Sequence, residues 1–419
     1  MERKSCPVVR LDPTGRDVRA EAEVLRAHGP AARVELPGGV RAWSITSYEL
    51  AKQVLSDPRV SKDAHRNWPA FAAGEIGQDW PLISWVMMDN MTTKDGADHT
   101  RLRKPITRAF TPKRIEAMRP AVERATTELL DALEQRVASG EPVDLRAHFA
   151  YPLPVRIICD LFGVPEHMRA GALRGGEKTV DTTLTPEEAQ ANVMNWTEEL
   201  AALVEYKREH PGDDMITQLI EAQREDPAQF SDSELIGTLF LALGAGSETV
   251  LNLLSKAVLS LLTHPVQRRM LDQGRASWQD VVEETLRFES PIAQLPLRFA
   301  TEDLQYGDVL IEKGDPILIG FGAVGRDPEL HGRTAGTFDL LRRDKEHLSF
   351  GFGVHFCLGA QLARMEALIA LPALFARFPE LELAVPVEQL QSQGSFIMNG
   401  NLTLPVHLTA SHGWAAAAA

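Results

Sequence analysis

The sequence predicts a mainly α-helical protein with a small β region, and three observations carry that expectation. Helical periodicity dominates from Arg114 to Leu271. Within that stretch an apolar pattern opens on Ser231-Asp232-Ser233-Glu234, a capping-box arrangement, and continues to about Thr263, where His264-Pro265 stops it. Strand-like alternation is confined to two short patches, one early and one late.

Taken in order, Asp17 to His28 reads as an amphipathic helix. Arg33-Val34-Glu35-Leu36 and Val40-Arg41-Ala42-Trp43-Ser44-Ile45 flank a Pro37-Gly38-Gly39 turn and predict a hairpin. Helical spacing returns from Tyr48 to Ser56. From Asp63 to Thr93 the periodicity fails, in a stretch holding Trp68, Phe71, Trp80, Trp85, Met87 and Met88. A long irregular segment of this composition is either a functional loop or one packed by its own apolar side chains. The helix from Ser231 spans roughly 45–50 Å at ~1.5 Å per residue, enough to cross a whole domain. The late β patch covers Leu297 to Gly320, with Val309-Leu310-Ile311 and Ile317-Leu318-Ile319 as strands. The expected architecture is a single domain over 1–414, mostly helical, with a β part drawn from both ends; 415–419 form a low-complexity tail.

The chain has 419 residues, 44% of them hydrophobic and 24% charged, so a large core is available. A net charge of −14 argues against generic binding to nucleic acid or to an anionic membrane. Cys6, Cys159 and Cys357 are too few for a disulfide framework, which fits a reducing, cytoplasmic setting. The opening residues, Met1 to Pro7, lack the apolar stretch of a signal peptide. No apolar run is expected to span a bilayer; the nearest, Leu235 to Ser247, is ended by Glu248 and reads as a buried helix.

Four short patterns carry chemistry. The first is Phe350-Gly351-Phe352-Gly353-Val354-His355-Phe356-Cys357-Leu358-Gly359, followed at once by the helical run Ala360 to Glu366. It puts a cysteine in a glycine-hinged loop at a helix start, where N–H groups and the helix dipole stabilise a thiolate and lower its pKa. Gly353 and Gly359 are expected where a side chain would collide. Taken alone, a lone cysteine is more often a small buried hydrophobe. The second is Leu243-Gly244-Ala245-Gly246-Ser247-Glu248-Thr249, an acid and an alcohol deep in an apolar helix, unfavourable there without partners. Its alternative is a glycine-kinked helix with the Glu paired elsewhere. The third, Glu284-Thr285-Leu286-Arg287, places opposite charges on one helix face, as ordinary surface pairs also do. The fourth, His99 and Arg103 at i, i+4, could bind an anion or form a solvated basic face.

As a set these residues resemble the cytochrome P-450 family, the haem-thiolate monooxygenases, along essentially the whole chain. The resemblance implies that family's triangular-prism fold, with a long central helix over the haem. Cys357 would be the axial ligand of the iron of haem b, in a loop shaped by Phe350, Gly351 and Gly359. The central helix would be distorted, with Ala245 and Gly246 lining the oxygen groove. Thr249 would donate a hydrogen bond to dioxygen, and Glu248 would relay protons. His99, Arg103, Arg298 and His355 would hold the haem propionates by charge-assisted hydrogen bonds. Glu284, Arg287 and Arg342, the last from Phe338-Asp339-Leu340-Leu341-Arg342, would form a structural network under the haem loop.

The irregular segment would roof an apolar substrate pocket. Expected walls are Trp85, Met87, Met88, Leu239, Leu243, Ile292, Ala293, Leu295, Phe396, Ile397 and Met398. The implied activity is hydroxylation of a bulky hydrophobic natural product, steroid or macrolide, using dioxygen and two electrons. Those electrons would come from a ferredoxin and its reductase. Arg101, Arg103, Lys104, Arg108, Lys113 and Arg114 would steer an acidic partner, although a solubility role fits these residues equally. Radical coupling of aromatic natural products, such as indole-bearing cyclic dipeptides, is the alternative outcome of the same chemistry. A non-catalytic haem or ligand-binding protein is the remoter one. One departure stands out: Pro105 follows Lys104 inside the expected helix and leaves its end in doubt.

Overall fold

Capping side chains set many of the element boundaries in the computed structural model, which describes residues 7–77, 80–137, 140–226 and 230–409. Cys6 and the tail at 415–419 lie outside the described residues. The Asp17 carboxylate accepts from Ala20 N–H at 2.9 Å and opens helix α1 (Val18–Arg26). Ser47 does the same for α2 (Tyr48–Ser56), which has the bounds its periodicity predicts.

The early and late β patches join in one sheet. Its strands are β1 (Val9–Arg10), β2 (Ala31–Glu35), β3 (Arg41–Ile45) and β4 (Val60–Ser61) from the start of the chain. After β5 (Val143–Asp144) come β6 (Leu295–Ala300), β7 (Leu304–Tyr306), β8 (Val309–Ile311) and β9 (Pro316–Ile319). The six-stranded order is β1-β2-β3-β9-β6-β4. The hairpin pairs Ala31 with Ile45 and Glu35 with Arg41, and β9 runs parallel to β3, Trp43 facing Ile317. β7 and β8 form a separate pair. β10 (Glu382–Leu383) and β11 (Pro405–His407) join β5 in a third sheet.

Helices fill most of the rest. The ones that position the site are α3 (Gly96–Thr107), α4 (Pro112–Val137), α5 (Pro152–Phe162), α6 (Pro186–Glu209), α7 (Asp232–Thr263), α8 (Trp278–Phe288) and α9 (Ala360–Arg377). Pro105 does not stop α3, which continues two residues further. The capping box at α7 is complete: Ser231 accepts from Glu234 N–H at 3.1 Å, and Glu234 accepts from Ser231 N–H at 2.8 Å. By length and composition alone α7 is apolar enough to cross a membrane. Its most apolar window is 61% buried within the protein, as suits a core helix.

The aperiodic stretch after Asp63 is more ordered than its pattern suggests. It contains helical turns at Ala64–Asn67, Pro69–Ala72 and Ser84–Met87, each too short to show a 3.6-residue period. Its aromatics tie it to the sheet. Trp68 stacks on Phe299 with centroids 5.3 Å apart and meets Trp80 edge-on at 5.4 Å. Trp80 Nε1 donates to the Pro37 carbonyl at 2.9 Å.

A candidate active site around Cys357

The loop before α9 is built on two glycines in the left-handed region, Gly351 at φ +74° and Gly353 at φ +73°. A Cβ on Gly353 would lie 2.9 Å from the Leu55 carbonyl oxygen, so this glycine lets the loop abut the end of α2. Gly359 differs: its φ is −79°, and a Cβ there would only touch Cys357 Sγ at 3.9 Å. The expected collision is absent, and Gly359 contributes its N–H instead. Cys357 N–H donates to the Phe350 carbonyl at 2.9 Å. Arg103 reaches over from α3 to donate to the Phe356 carbonyl at 2.6 Å. The Arg364 guanidinium sits 4.5 Å above the Phe350 ring.

Cys357 is surrounded by protein yet its surface is accessible. Burial pushes the thiol pKa up, against the N–H groups of Gly359 and Ala360 and the charges of Arg103 and Arg364. The N–H groups at the helix start and the two guanidinium groups therefore favour the thiolate, and desolvation opposes them. A bound cation opposite the sulfur would reverse that balance, because a coordinating thiol gives up its proton.

Helix α7 carries an accessible stripe, Leu241, Ala242, Ala245 and Thr249, with Gly244 and Gly246 beside it part-exposed as well. Leu239 and Leu243 lie on other faces, fully buried against Trp196, Leu200 and their neighbours. They do not line the open side as expected. Gly246 also turns away: a Cβ on it would come within 2.7 Å of Ile158 Cδ1, so it permits α5 to pack close. The helix is unbroken through the motif rather than distorted. Thr249 stays helical, its hydroxyl donating to the Ala245 carbonyl at 2.8 Å.

Glu248 is 2% exposed, and its Oε2 has no hydrogen-bond partner. Burial, and then the Glu177 carboxylate, push its pKa up to about 7, while Arg146 opposes them. Arg146 stands on a π-helical turn, Arg146–Ala150, and donates to Glu177 at 2.9 Å.

Between α3, β4 and β6 lies a cluster of cationic and imidazole groups. The His99 and His355 rings are 4.3 Å apart, and His99 Nε2 is buried without a partner. Arg298 is 5% exposed and Lys62 9%. The facing carboxylate is Asp95, 3.9 Å from His355 Nε2; it also accepts from Ser61 Oγ and from Lys62 N–H at 3.0 and 3.1 Å. Burial works against its ionisation, yet His355, Ser61 and Lys62 hold Asp95 down at about 2. Burial lowers both histidines, His355 to about 4. A buried unpartnered nitrogen on His99, with Arg103 near it and with Arg298 and Lys62 near the adjoining His355, fits a bound dicarboxylate such as haem carries.

Glu284, Arg287 and Arg342 are brought together. Arg287 donates twice to Glu284, both at 2.7 Å, and both side chains are fully buried. Arg342 Nε lies 3.5 Å from Glu284, and Asp339 N–H donates to the same oxygen at 2.8 Å. Arg287 also ties down the carbonyls of Gly325, Ala335 and Thr337.

The remaining expected pocket residues divide. Trp85 and Ile292 are half-buried against the cluster that holds Phe396, Ile397 and Met398, themselves closely packed. Ala293 N–H donates to the Ile397 carbonyl at 2.7 Å, and Leu295 packs on the sheet side. Met87 and Met88 line a cleft of about 450 Å³ with Ile83, Met194 and Ile236. A groove of about 770 Å³ between α4 and α5 holds Arg156 and Arg169, already paired with Glu128 and Asp160; it contains none of the motif residues. Of the basic cluster, Arg101 is bound to Glu234 at 2.5 Å, and Arg114 donates to Gln218 at 2.9 Å.

A family model for cytochrome P450 matches residues 278–403, which include the Glu284–Arg287 pair and Cys357. The chain is 54% identical over 403 residues to a 2-hydroxy-5-methyl-1-naphthoate 7-hydroxylase of Streptomyces carzinostaticus, covering 96% of this chain and 98% of that relative. It belongs to the cytochrome P450 family. The solved structure of CYP154A1 from Streptomyces coelicolor A3(2) superposes with a TM-score of 0.90 at 47% identity, covering 96% of this chain and all of that one. CYP154C4 from Streptomyces sp. W2061 gives 0.91 at 43% identity, with coverages of 96% and 98%. The expected fold is borne out, and the protein is a P450 hydroxylase: an oxidoreductase that works through a haem-thiolate cofactor, takes electrons from a redox partner and acts on hydrophobic small molecules. Sequence reasoning missed Lys62, Asp95, Arg146, Leu241 and Ala242. Steps of three and four back from Thr249 would have found the last two.

Proposed function

We propose that this P450 hydroxylates a bulky hydrophobic natural product, with a substituted aromatic acid of the naphthoate kind as the first candidate. The stripe Leu241, Ala242, Ala245 and Thr249 on α7, backed by the buried carboxyl of Glu248, carries the reading. The 54% identity to a naphthoate hydroxylase supports the substrate class.

Haem b, when bound, supplies dioxygen activation and the oxidation of a C–H bond. The Cys357 sulfur would hold its iron, and His99, Arg103, Arg298 and His355 would face its propionates. Leu241 and Ala242 keep the reacting face of α7 apolar and exclude water. Thr249 Oγ1 turns from the Ala245 carbonyl toward the open side and hands on one proton. Glu248 Oε2 replaces it, from a carboxyl whose pKa near 7 suits transfer in either direction. Glu284, Arg287 and Arg342 fix the segment under the loop and take no part in the chemistry.

We infer a ferredoxin and its reductase as the electron donors; exposed Lys104, Arg108 and Lys113 in a chain of net charge −14 support docking of an acidic partner. A cytoplasmic location is supported by the free thiol of Cys159. We also propose that residues 1–414 act as one catalytic domain.

The test has two steps. The reduced, carbon-monoxide-treated protein is expected to show the red-shifted Soret band of thiolate ligation, and Cys357→Ser to lose it. Hydroxynaphthoates, macrolides and steroids are then screened for a low-spin to high-spin shift, and turnover products are weighed. A gain of one oxygen supports hydroxylation. A dimer lacking two hydrogens supports oxidative coupling instead, and spectral binding without turnover supports a binding protein.

A further inference from the structure

We propose that Lys62 is a carboxylate-binding residue of the cofactor site, its ammonium pairing with a haem propionate beside Arg298. The inference rests on the haem reading above.

Lys62 directly follows β4 and is buried. Its Nζ gives one proton to the Leu297 carbonyl at 2.8 Å. An ammonium carries three donors, and the other two have no acceptor among the described residues. The next residue of β6, Arg298, is also buried, and its guanidinium makes no hydrogen bond among the described residues. Two cations thus stand side by side in the interior.

The carboxylate nearest them does not answer both. Asp95 already takes Ser61 Oγ and the Lys62 backbone N–H, with His355 Nε2 at 3.9 Å. An uncompensated buried cation is strongly unfavourable. The strain shows in both groups: burial, then Arg298, bring Lys62 down to about 7, and burial brings Arg298 to about 10. Holding the Leu297 carbonyl does not account for a lysine, since a neutral donor would serve without burying a charge. A carboxylate in front of Lys62 and Arg298 supplies the missing acceptor and the missing negative charge together.

The experiment compares native haem with haem dimethyl ester, in which both carboxylates are blocked. Wild-type protein and the K62M, K62Q and K62R variants are loaded with each, and transfer of the ferric cofactor to apomyoglobin is timed. The expected result is loss of native haem about tenfold faster from K62M and K62Q than from wild type. K62R should lie between, and all four proteins should release the diester at one rate. Equal acceleration for haem and diester makes Lys62 a strut for Leu297 and overturns the proposal, as does no acceleration for either. If wild type with native haem shows no red-shifted carbon-monoxide band, the haem-thiolate reading itself falls, and this inference with it.

Discussion

Thr249 gives its hydroxyl proton to the carbonyl oxygen of Ala245, one turn earlier at 2.8 Å, in a helix that stays intact around them. The bond is local and solvent-accessible, so its loss perturbs the fold little, by roughly 1 kcal/mol. Thr249→Ala should therefore leave the melting temperature nearly unchanged. Product formed per electron pair should fall on the order of tenfold, with peroxide released instead, while Thr249→Ser retains most coupling. Parallel assays of donor consumption, product and peroxide decide it; full coupling in Thr249→Ala would remove Thr249 from the proton path.

Glu248 gives a pH dependence with a defined sign. Its folded pKa, about 7, exceeds the ordinary 4.5, so between those values the folded state binds a proton that the unfolded state has released. Its stabilising contribution is complete below pH 4.5 and is lost as pH rises to 7, by on the order of 3 kcal/mol. Glu248→Gln should flatten that part of the stability curve, measured by denaturant melts across the range. The same substitution should slow turnover at neutral pH, and a variant as fast as wild type would exclude the relay.

Two neighbouring leucines on α7 should respond oppositely. Leu243→Ala opens a cavity among fully buried side chains and should destabilise by about 2–5 kcal/mol, with ligand affinity unchanged. Leu241→Phe adds volume on the accessible stripe and should alter which ligands shift the spin state, at little cost in stability. Thermal melts and spectral titrations on the same pair of variants test the helix phase directly.

The Glu284–Arg287 pair is a case of a buried charge that cannot lose its partner. Glu284→Gln leaves the guanidinium of Arg287 without its counterion and should cost about 3–5 kcal/mol. Arg287→Lys cannot reproduce the fork that also binds Gly325, Ala335 and Thr337. Both variants should show a partial or absent thiolate-type band on carbon-monoxide binding. A normal band at normal yield in either would free the loop from this network.

What was legible in the sequence was whatever repeats or is spaced within one element. The α7 capping box, the Tyr48–Ser56 helix and the 33–45 hairpin all follow from local pattern, and all appear in the structure. The Cys357 loop and the Glu284–Arg287 spacing were legible because glycine geometry and i, i+3 pairing are local as well. Lys62 was hidden because its environment comes from Leu297, Arg298 and Asp95, which no sequence period connects to it. The side chains facing the open stripe were misjudged for another reason. An apolar helix buried on nearly all sides gives no hydrophobic contrast from which to read its phase, so Leu239 and Leu243 looked as suitable as Leu241.

Three glycines of α7 each admit a neighbour: Gly237 the chain at Asp89, Gly244 the Trp196 ring, Gly246 the Ile158 side chain. The helix is thus held at three heights by close contacts at these glycines. Leu241, which joins none of the core clusters, can be exchanged without loosening the frame that holds Glu248 and Thr249. On the proposed function, substrate choice would then change at Leu241 while the proton path at Glu248 and Thr249 is kept.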